Sequence, residues 1–211
     1  TQNRVVLIGE NIDAQRLYEE QLLLNPDIEL MAFPWDEPHQ RNMMIDRFTM
    51  GLSIVSENDL ENELYEIRTR LSDYDSQSFR ELSIEAAKIV ENICMNLKKG
   101  ISEYALAGEI SKQLWESNIE PITLLVAFDE RGHKYRHPVM VDNHLENYAL
   151  VGICGRRNGL IVSLTRDVLL KKDPEIIDKH SKCIRVNAAF WNKLVPGTPI
   201  SEVFAAGVAQ Y

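Results

Sequence analysis

Two histidines, His133 and His137, stand four residues apart in the segment GHKYRHP. An H-x-x-x-H pair binds zinc readily when both side chains lie on one face of a helix. Here Gly132 and Pro138 flank the pair and disfavour a helix, and no Glu or Cys stands at ligand spacing. The residues alone therefore favour an exposed, slightly basic loop over a zinc site.

A β-hairpin is predicted at residues 150–168. Val, Ile, Leu and Thr dominate the runs YALVGIC and GLIVSLTR, and Asn158 and Gly159 between them can adopt the positive φ that a tight turn needs. Two-metal hydrolases often need paired carboxylates on adjacent strands, where the metals are about 3.5–4 Å apart. The positions predicted to face each other across this hairpin, Gly152 and Ser163, carry no carboxylate.

Other side chains of the hairpin give weaker signals. Ser163 lacks the G-x-S-x-G elbow of a nucleophile and has no base nearby, so we expect a small polar residue facing the core or a cleft. By the two-residue period of a strand, Cys154 shares the face of Gly152. A lone thiol falls short of the three or four protein ligands that zinc sites use. We expect Arg166 to pair with a carboxylate at the end of the second strand.

Several other polar side chains have no function that the sequence identifies. Arg156 and Arg157, at the tip of the hairpin, are expected to be solvated. His39, His144 and His180 have no partner that can be identified from the sequence.

Composition excludes several classes of protein. The chain has 211 residues, of which 45% are hydrophobic and 26% charged, as in ordinary globular domains. Its net charge of −9 argues against a nucleic-acid partner, and no apolar run approaches the ~20 residues of a membrane helix. Cys94, Cys154 and Cys183 are widely spaced and odd in number, which indicates a reducing compartment. We therefore predict a cytoplasmic protein without nucleic-acid or membrane partners.

Strand and helix patterns alternate in the first part of the chain. Strands are predicted at residues 4–9, 28–33 and 52–55, with helices at 12–24, 38–50 and 56–71. A β-α-β-α-β alternation indicates a sheet covered by helices. The polar, turn-prone segment SDYDSQS at residues 72–78 is the best candidate for a domain linker. We thus predict an α/β domain at 1–71, a linker at 72–78 and a second domain at 79–211.

The elements of the second domain lead up to the hairpin and follow it. A helix at residues 79–99 has apolar residues at three- and four-residue steps, and Gly100 ends it. A helix from Ser102, a strand at 121–128 and a turn at 129–132 come next. After the hairpin, Asp173-Pro174 begins a helix that runs to about Leu194.

The hairpin resembles that of the pita-bread metallopeptidases, a family that includes aminopeptidase P, prolidase, methionine aminopeptidase and the metal-free creatinase. Active members carry one aspartate on each strand, an N-G-type turn between them and T-R after the second aspartate. Asn158-Gly159 and Thr165-Arg166 match this pattern, while the two aspartates fall on Gly152 and Ser163. The resemblance covers roughly residues 78–211, and the preceding part is more weakly similar to the amino-terminal domain of the prolidase branch.

This resemblance implies a fold and a candidate catalytic residue. The fold would be a partial creatinase-type amino-terminal α/β domain followed by part of a pita-bread α+β domain, in a homodimer. Active members carry a histidine upstream of the first aspartate that contacts substrate and can transfer protons, and His137 lies close to that position. Their remaining ligands, one His and two Glu, come after the point where this chain ends. Both ends look cut, so we expect a fragment.

The resulting expectation is a protein similar to Xaa-Pro aminopeptidases and dipeptidases that has lost its metal site. It would use no cofactor and would bind a peptide or small ligand in the old cleft. One alternative is a metal-independent, creatinase-like hydrolase with His137 as the acid-base group. Another is an active metallopeptidase whose ligands the alignment misplaces.

Overall fold

The computed structural model describes residues 4–211, which divide into two compact units between Arg70 and Leu71. Residues 1–3 of the predicted first domain lie outside the described part. Both units combine helices and strands, which confirms the predicted fold class. Within the described residues, no helix has the length and apolarity needed to cross a membrane.

The first unit is built on a parallel pair of strands. Strands β1 (Val5–Glu10) and β2 (Ile28–Phe33) pair along their whole length, and α1 (Ala14–Arg16) with a π-helical turn (Leu17–Gln21) connects them. Helix α2 (His39–Thr49) follows. Parallel strands need a crossover connection, which α1 and the turn after it supply.

The predicted third strand at residues 52–55 is wrong. This segment is exposed and pairs with no strand in the described part of the chain. Its four residues have the apolar character of a strand, but a strand also needs a neighbour to receive its hydrogen bonds. A short helical turn (Asn58–Leu60) and α3 (Glu61–Arg68) come next and occupy most of the predicted helix at 56–71.

The segment predicted as a linker, residues 72–78, is helical from Asp73 onward, because helix α4 (Asp73–Met95) begins there. The Ser72 hydroxyl accepts a hydrogen bond from the Asp75 amide at 3.1 Å, and the Asp75 carboxylate accepts one from the Ser72 amide at 3.2 Å. This capping box satisfies two amide groups at the start of the helix. The same polar residues that suggested a linker therefore begin a helix.

A three-stranded antiparallel sheet forms the centre of the second unit, in the order β3 (Glu120–Phe128), β4 (Tyr148–Arg157) and β5 (Leu160–Leu169). Helix α4 packs on β5, and α5 (Glu103–Glu116) packs on β3. They bury one face of the sheet in an apolar core that includes Leu82, Val90, Leu106, Ile110, Val126, Phe128, Val151, Ile153 and Val162.

Three further helices complete the second unit. The short α6 (Glu130–Lys134) begins the loop between β3 and β4. Helix α7 (Pro174–Lys193) begins after Asp173, as predicted, and packs on α8 (Ile200–Val208). The Asp173 side chain caps its first turn. No residue of α7 is buried.

The other face of the sheet carries polar side chains and is called the cleft face below. Directly paired residues of an antiparallel sheet project to the same side, and the side alternates along each strand. The register places the following residues, with several apolar ones, on the cleft face: Glu120, Thr123, Leu125, Tyr148, Gly152, Cys154, Arg156, Ser163, Thr165 and Asp167.

Candidate functional site

The β4–β5 hairpin has the predicted geometry, with a shift in which residues pair. Gly152 pairs with Thr165 and Cys154 pairs with Ser163, so Gly152 and Ser163 are diagonal neighbours on the cleft face rather than direct partners. Such neighbours lie about 7–8 Å apart. Asn158 and Gly159 form the turn with φ of 51° and 79°, the left-handed conformations that a tight hairpin requires.

A cavity of about 250 Å³ lies on the cleft face where the resemblance puts the two aspartates. Its polar side chains are the hydroxyls of Thr123, Ser163 and Thr165 and the thiol of Cys154. The Cys154 Sγ and Ser163 Oγ atoms are 3.0 Å apart, within hydrogen-bond distance. The cavity can therefore offer neutral hydrogen-bonding groups to a ligand.

This part of the hairpin does not fit a two-metal centre. Gly152 has no side chain, Ser163 offers a neutral hydroxyl and Cys154 is a lone thiol, whereas hard divalent cations are held by several carboxylates. Between residues 4 and 211, no three His, Cys, Asp or Glu side chains come together as a metal site would require.

A polar cluster that the sequence did not suggest continues the cleft face beyond Thr165. The Asp167 carboxylate accepts a hydrogen bond from the Tyr148 hydroxyl at 2.6 Å, and His180 Nδ1 lies 3.2 Å from its other oxygen. The His133 ring stacks on Tyr148, with ring centroids 4.5 Å apart. His180, for which the sequence identified no partner, thus joins helix α7 to the sheet.

Tyr148 is the buried member of this cluster, with 6% of its surface exposed. Burial, together with the hydrogen bond to Asp167, raises the pKa of Tyr148 well above its ordinary value. The phenol therefore stays protonated and acts as a donor to Asp167. The neighbouring loop passes so close to the ring that a side chain at position 132 would overlap it, which explains Gly132.

The structure separates the two histidines of the H-x-x-x-H pair. His133 lies in helix α6, where a turn and a loop were predicted, and His137 lies in the exposed loop that follows, so the two histidines share no helix. His133 reaches the cleft face through its stack on Tyr148. Within the described residues, His137 makes no side-chain hydrogen bond, and its catalytic role stays a prediction.

A buried carboxylate at the start of α5 holds the loop that carries both histidines. Glu103 is 0% exposed, and its oxygens accept hydrogen bonds from the amides of Phe128 at 3.0 Å and Val141 at 2.9 Å. The Arg131 guanidinium donates to both oxygens and also to the Val139 carbonyl. One side chain thus links α5, the end of β3, α6 and the following loop.

Ion pairs join the hairpin to the helices behind it. Arg166 pairs with Glu91 at 2.5 Å, which confirms the prediction that it has a carboxylate partner. Arg157 pairs with Glu85 at 2.6 Å and is four-fifths buried, so the prediction that it is solvated is wrong. Arg156 is half-exposed, in line with the prediction that it is solvated, and pairs at 2.5 Å with Glu120 of the neighbouring strand β3.

Comparison with known proteins identifies the fold. No protein-family model matches the sequence, and no curated protein sequence matches it. Solved structures do match: the fold is that of the pita-bread proteins, as seen in prolidases and aminopeptidase P.

Three of these structures show the extent of the likeness. The prolidase from Pyrococcus horikoshii OT3 matches with a TM-score of 0.74 and 12% identity, over 97% of this chain and 63% of the prolidase. Escherichia coli aminopeptidase P also gives 0.74, with 16% identity, over 97% of this chain and 56% of the enzyme. The N-terminal domain of the FACT complex subunit SPT16 from Cicer arietinum matches with a TM-score of 0.63 and 14% identity, over 100% of this chain and 62% of the SPT16 chain. The chain therefore spans 56–63% of the length of these proteins.

Proposed function

We propose that the cleft face binds a peptide or small ligand through neutral hydrogen-bonding groups and does not support metal-dependent hydrolysis. The observation that carries this proposal is the composition of the cavity on β3–β5. Where the resemblance implies two aspartates, the chain has Gly152 and Ser163. Thr165 pairs with Gly152, and Cys154 pairs with Ser163.

The size and chemistry of the cavity suit a small part of a peptide. Ligand sites usually have volumes of about 300–1,000 Å³, so a cavity of about 250 Å³ accommodates one or two residues. Hydroxyl groups can donate to and accept from an amide, and each such hydrogen bond contributes about 0.5–1.5 kcal/mol. Thr123, Ser163 and Thr165 line the cavity and supply such groups from both neighbours of the central strand.

The fold alone does not decide between catalysis and binding. Prolidase and aminopeptidase P have this fold, and so does a domain described as part of a FACT complex subunit. A fold hosts different functions, and the residues of the site decide between them. In this chain those residues are neutral, which favours binding.

Direct binding measurements test this proposal. A panel of proline-containing tripeptides would be titrated into the 211-residue chain, with affinity measured by calorimetry and the site mapped by amide chemical shifts. We expect shifts centred on β4 and β5 and a loss of affinity of about 3- to 10-fold in Thr165→Val, which removes one hydrogen-bonding group. Thr69→Val is the matched control, because the Thr69 hydroxyl bonds only within α3 and its end. Absence of binding by every tripeptide would contradict the proposal.

Turnover measurements separate binding from the two catalytic alternatives. Hydrolysis that requires added Mn²⁺ or Zn²⁺ would establish the alternative of an active metallopeptidase. Hydrolysis of a peptide or amidine without metal, lost in His137→Ala while binding persists, would establish the creatinase-like alternative. We expect neither activity.

We also infer that the chain forms a homodimer in the cytoplasm. All three cysteines are free, which supports a reducing compartment. Large apolar side chains are exposed on α7 and α8, among them Ile184, Trp191 and Phe204, and such surfaces often mark an interface. Light scattering coupled to gel filtration would measure the mass, and a monomer at micromolar concentration would contradict the dimer.

A further inference from the structure

Two carboxylates lie on the cleft face of strands β3–β5, and their surroundings differ. Glu120 lies at the turn end of the hairpin and is neutralised by Arg156, whose guanidinium donates to it twice. Asp167 lies at the opposite end, where its partners are the neutral Tyr148 hydroxyl and the half-exposed His180 ring. Asp167 thus brings negative charge to a face whose cavity is otherwise neutral.

Asp167 lies on strand β5 just beyond the residues that line the cavity. Asp167 follows Thr165 by two residues on the same strand and face, so the two positions lie about 7 Å apart. Its side chain is 27% exposed. A carboxylate has about four acceptor sites, and the two contacts leave room for a further donor.

The geometry points to Asp167 as the residue that binds an ammonium group of the ligand, supplied by the amino terminus of a peptide or by a lysine side chain. This inference rests on the proposed function. A charged donor forms a shorter and stronger hydrogen bond to a carboxylate than a neutral donor does. The Tyr148 hydroxyl fixes the orientation of Asp167 without neutralising it, and the His133 ring stacked on Tyr148 holds that phenol in place.

Three peptides separate this inference from the proposed function. The first, Gly-Pro-Gly amide, has a free amino terminus. The second, N-acetyl-Gly-Pro-Gly amide, is neutral, and the third, N-acetyl-Gly-Pro-Lys amide, carries its ammonium group on a side chain. Affinities would be measured at about pH 7, where both kinds of amine are mostly protonated. We expect at least one ammonium peptide to bind about ten-fold more tightly than the neutral peptide, and the identity of that peptide names the source of the group.

Variants then assign the effect to Asp167. Asp167→Asn keeps an acceptor for Tyr148 and should reduce the affinity of the ammonium peptide to that of the neutral one, whose own affinity stays unchanged. Glu175→Gln, an equal change of charge on the exposed first turn of α7, should change neither affinity. His180→Ala removes the imidazole that shares the carboxylate and should leave the ammonium affinity equal or higher.

Each contrary result has a distinct meaning. Equal affinity of charged and neutral peptides for the unmodified chain would overturn the assignment of Asp167 while the proposed function stands. If Glu175→Gln lowers the affinity for the ammonium peptide as much as Asp167→Asn does, the effect comes from overall charge. If His180→Ala lowers it equally, the effect comes from His180. Failure of all three peptides to bind would overturn the proposed function and this inference together.

Discussion

Replacing Glu103 by Gln should destabilise the second unit strongly, because every partner of this buried carboxylate is a hydrogen-bond donor. Its oxygens face the amides of Phe128 and Val141, the Arg131 guanidinium and the Asn143 side-chain amide. A glutamine offers one oxygen and one NH₂ group, so in either orientation the NH₂ meets donors. The substitution also leaves the charge of Arg131, which is 24% exposed, without its counter-ion.

The free energy of unfolding is expected to fall by about 3–5 kcal/mol, the usual cost of removing one partner from a buried ion pair. With a denaturant dependence of about 2 kcal/mol per molar urea, the midpoint of unfolding should fall by about 2 M. Urea titration followed by circular dichroism measures this shift. Hydrogen exchange of the Val141 amide should accelerate as well, because that amide loses its acceptor.

Glu109→Gln is the matched control, since Glu109 is an exposed residue of the same helix and bonds only to Gln113. It should change stability by less than about 0.5 kcal/mol. If Glu103→Gln lowers the free energy of unfolding no more than this control does, the conclusion that the Glu103 charge holds the loop between β3 and β4 is refuted. The double variant Glu103→Gln with Arg131→Met should recover part of the loss, because it removes the unpaired charge.

Three other outcomes follow from the structure. Elemental analysis of protein purified without chelators should find no stoichiometric Mn, Co or Zn, and one bound metal per chain that is lost in Cys154→Ala would contradict the metal-free cleft. Gly207→Ala should lower the free energy of unfolding by about 1–3 kcal/mol, and with it the melting temperature, because a Cβ atom there overlaps the Phe190 ring. Its control, Gly108→Ala, should be neutral or stabilising, because nothing lies within 4 Å of a Cβ atom at that position. Burial raises the pKa of the Cys94 thiol to about 11, so this cysteine should resist a thiol reagent at about pH 8 in the folded protein and react on unfolding, and rapid reaction in the native state would contradict its burial.

Local signals in the sequence were sufficient for several elements of the fold. The hairpin could be predicted because β-branched runs flank Asn158-Gly159, and both turn residues adopt positive φ. Helix α7 could be predicted because Asp173 caps it and Pro174 suits its first position. In each case the deciding interaction lies within a few residues.

The errors in the predicted elements have different causes. Residues 52–55 have the composition of a strand, but pairing depends on a neighbour that composition cannot specify. Ser72 and Asp75 suit a turn and a helix start equally well until their reciprocal hydrogen bonds form. The predicted hairpin register was displaced by two residues, although the two-residue turn Asn158-Gly159 places Arg157 opposite Leu160 and so fixes the pairing. The error left the predicted faces unchanged, because a displacement by two residues keeps every side chain on the same face.

The candidate site was only partly accessible from sequence. The two-residue period would have placed Asp167 on the face of Ser163 and Thr165, but its partners Tyr148 and His180 come from a different strand and a helix. The role of Glu103 could not be predicted for the same reason, because main-chain amides of distant segments donate hydrogen bonds to its carboxylate. A polar residue can be assigned to a face from its own strand, whereas its partners depend on the tertiary fold.

Packing alone does not account for the glycine at position 152. A Cβ atom at that position would lie 3.6 Å from the Leu125 Cβ and 3.7 Å from the Thr165 Oγ1, which are ordinary van der Waals distances. By contrast, a Cβ at Gly155, on the core face of the same strand, would overlap Ile119. A Cβ atom therefore fits at position 152, whereas at position 155 Ile119 would have to shift. The glycine at 152 thus follows from the residue that the sequence places there and not from a steric requirement for glycine.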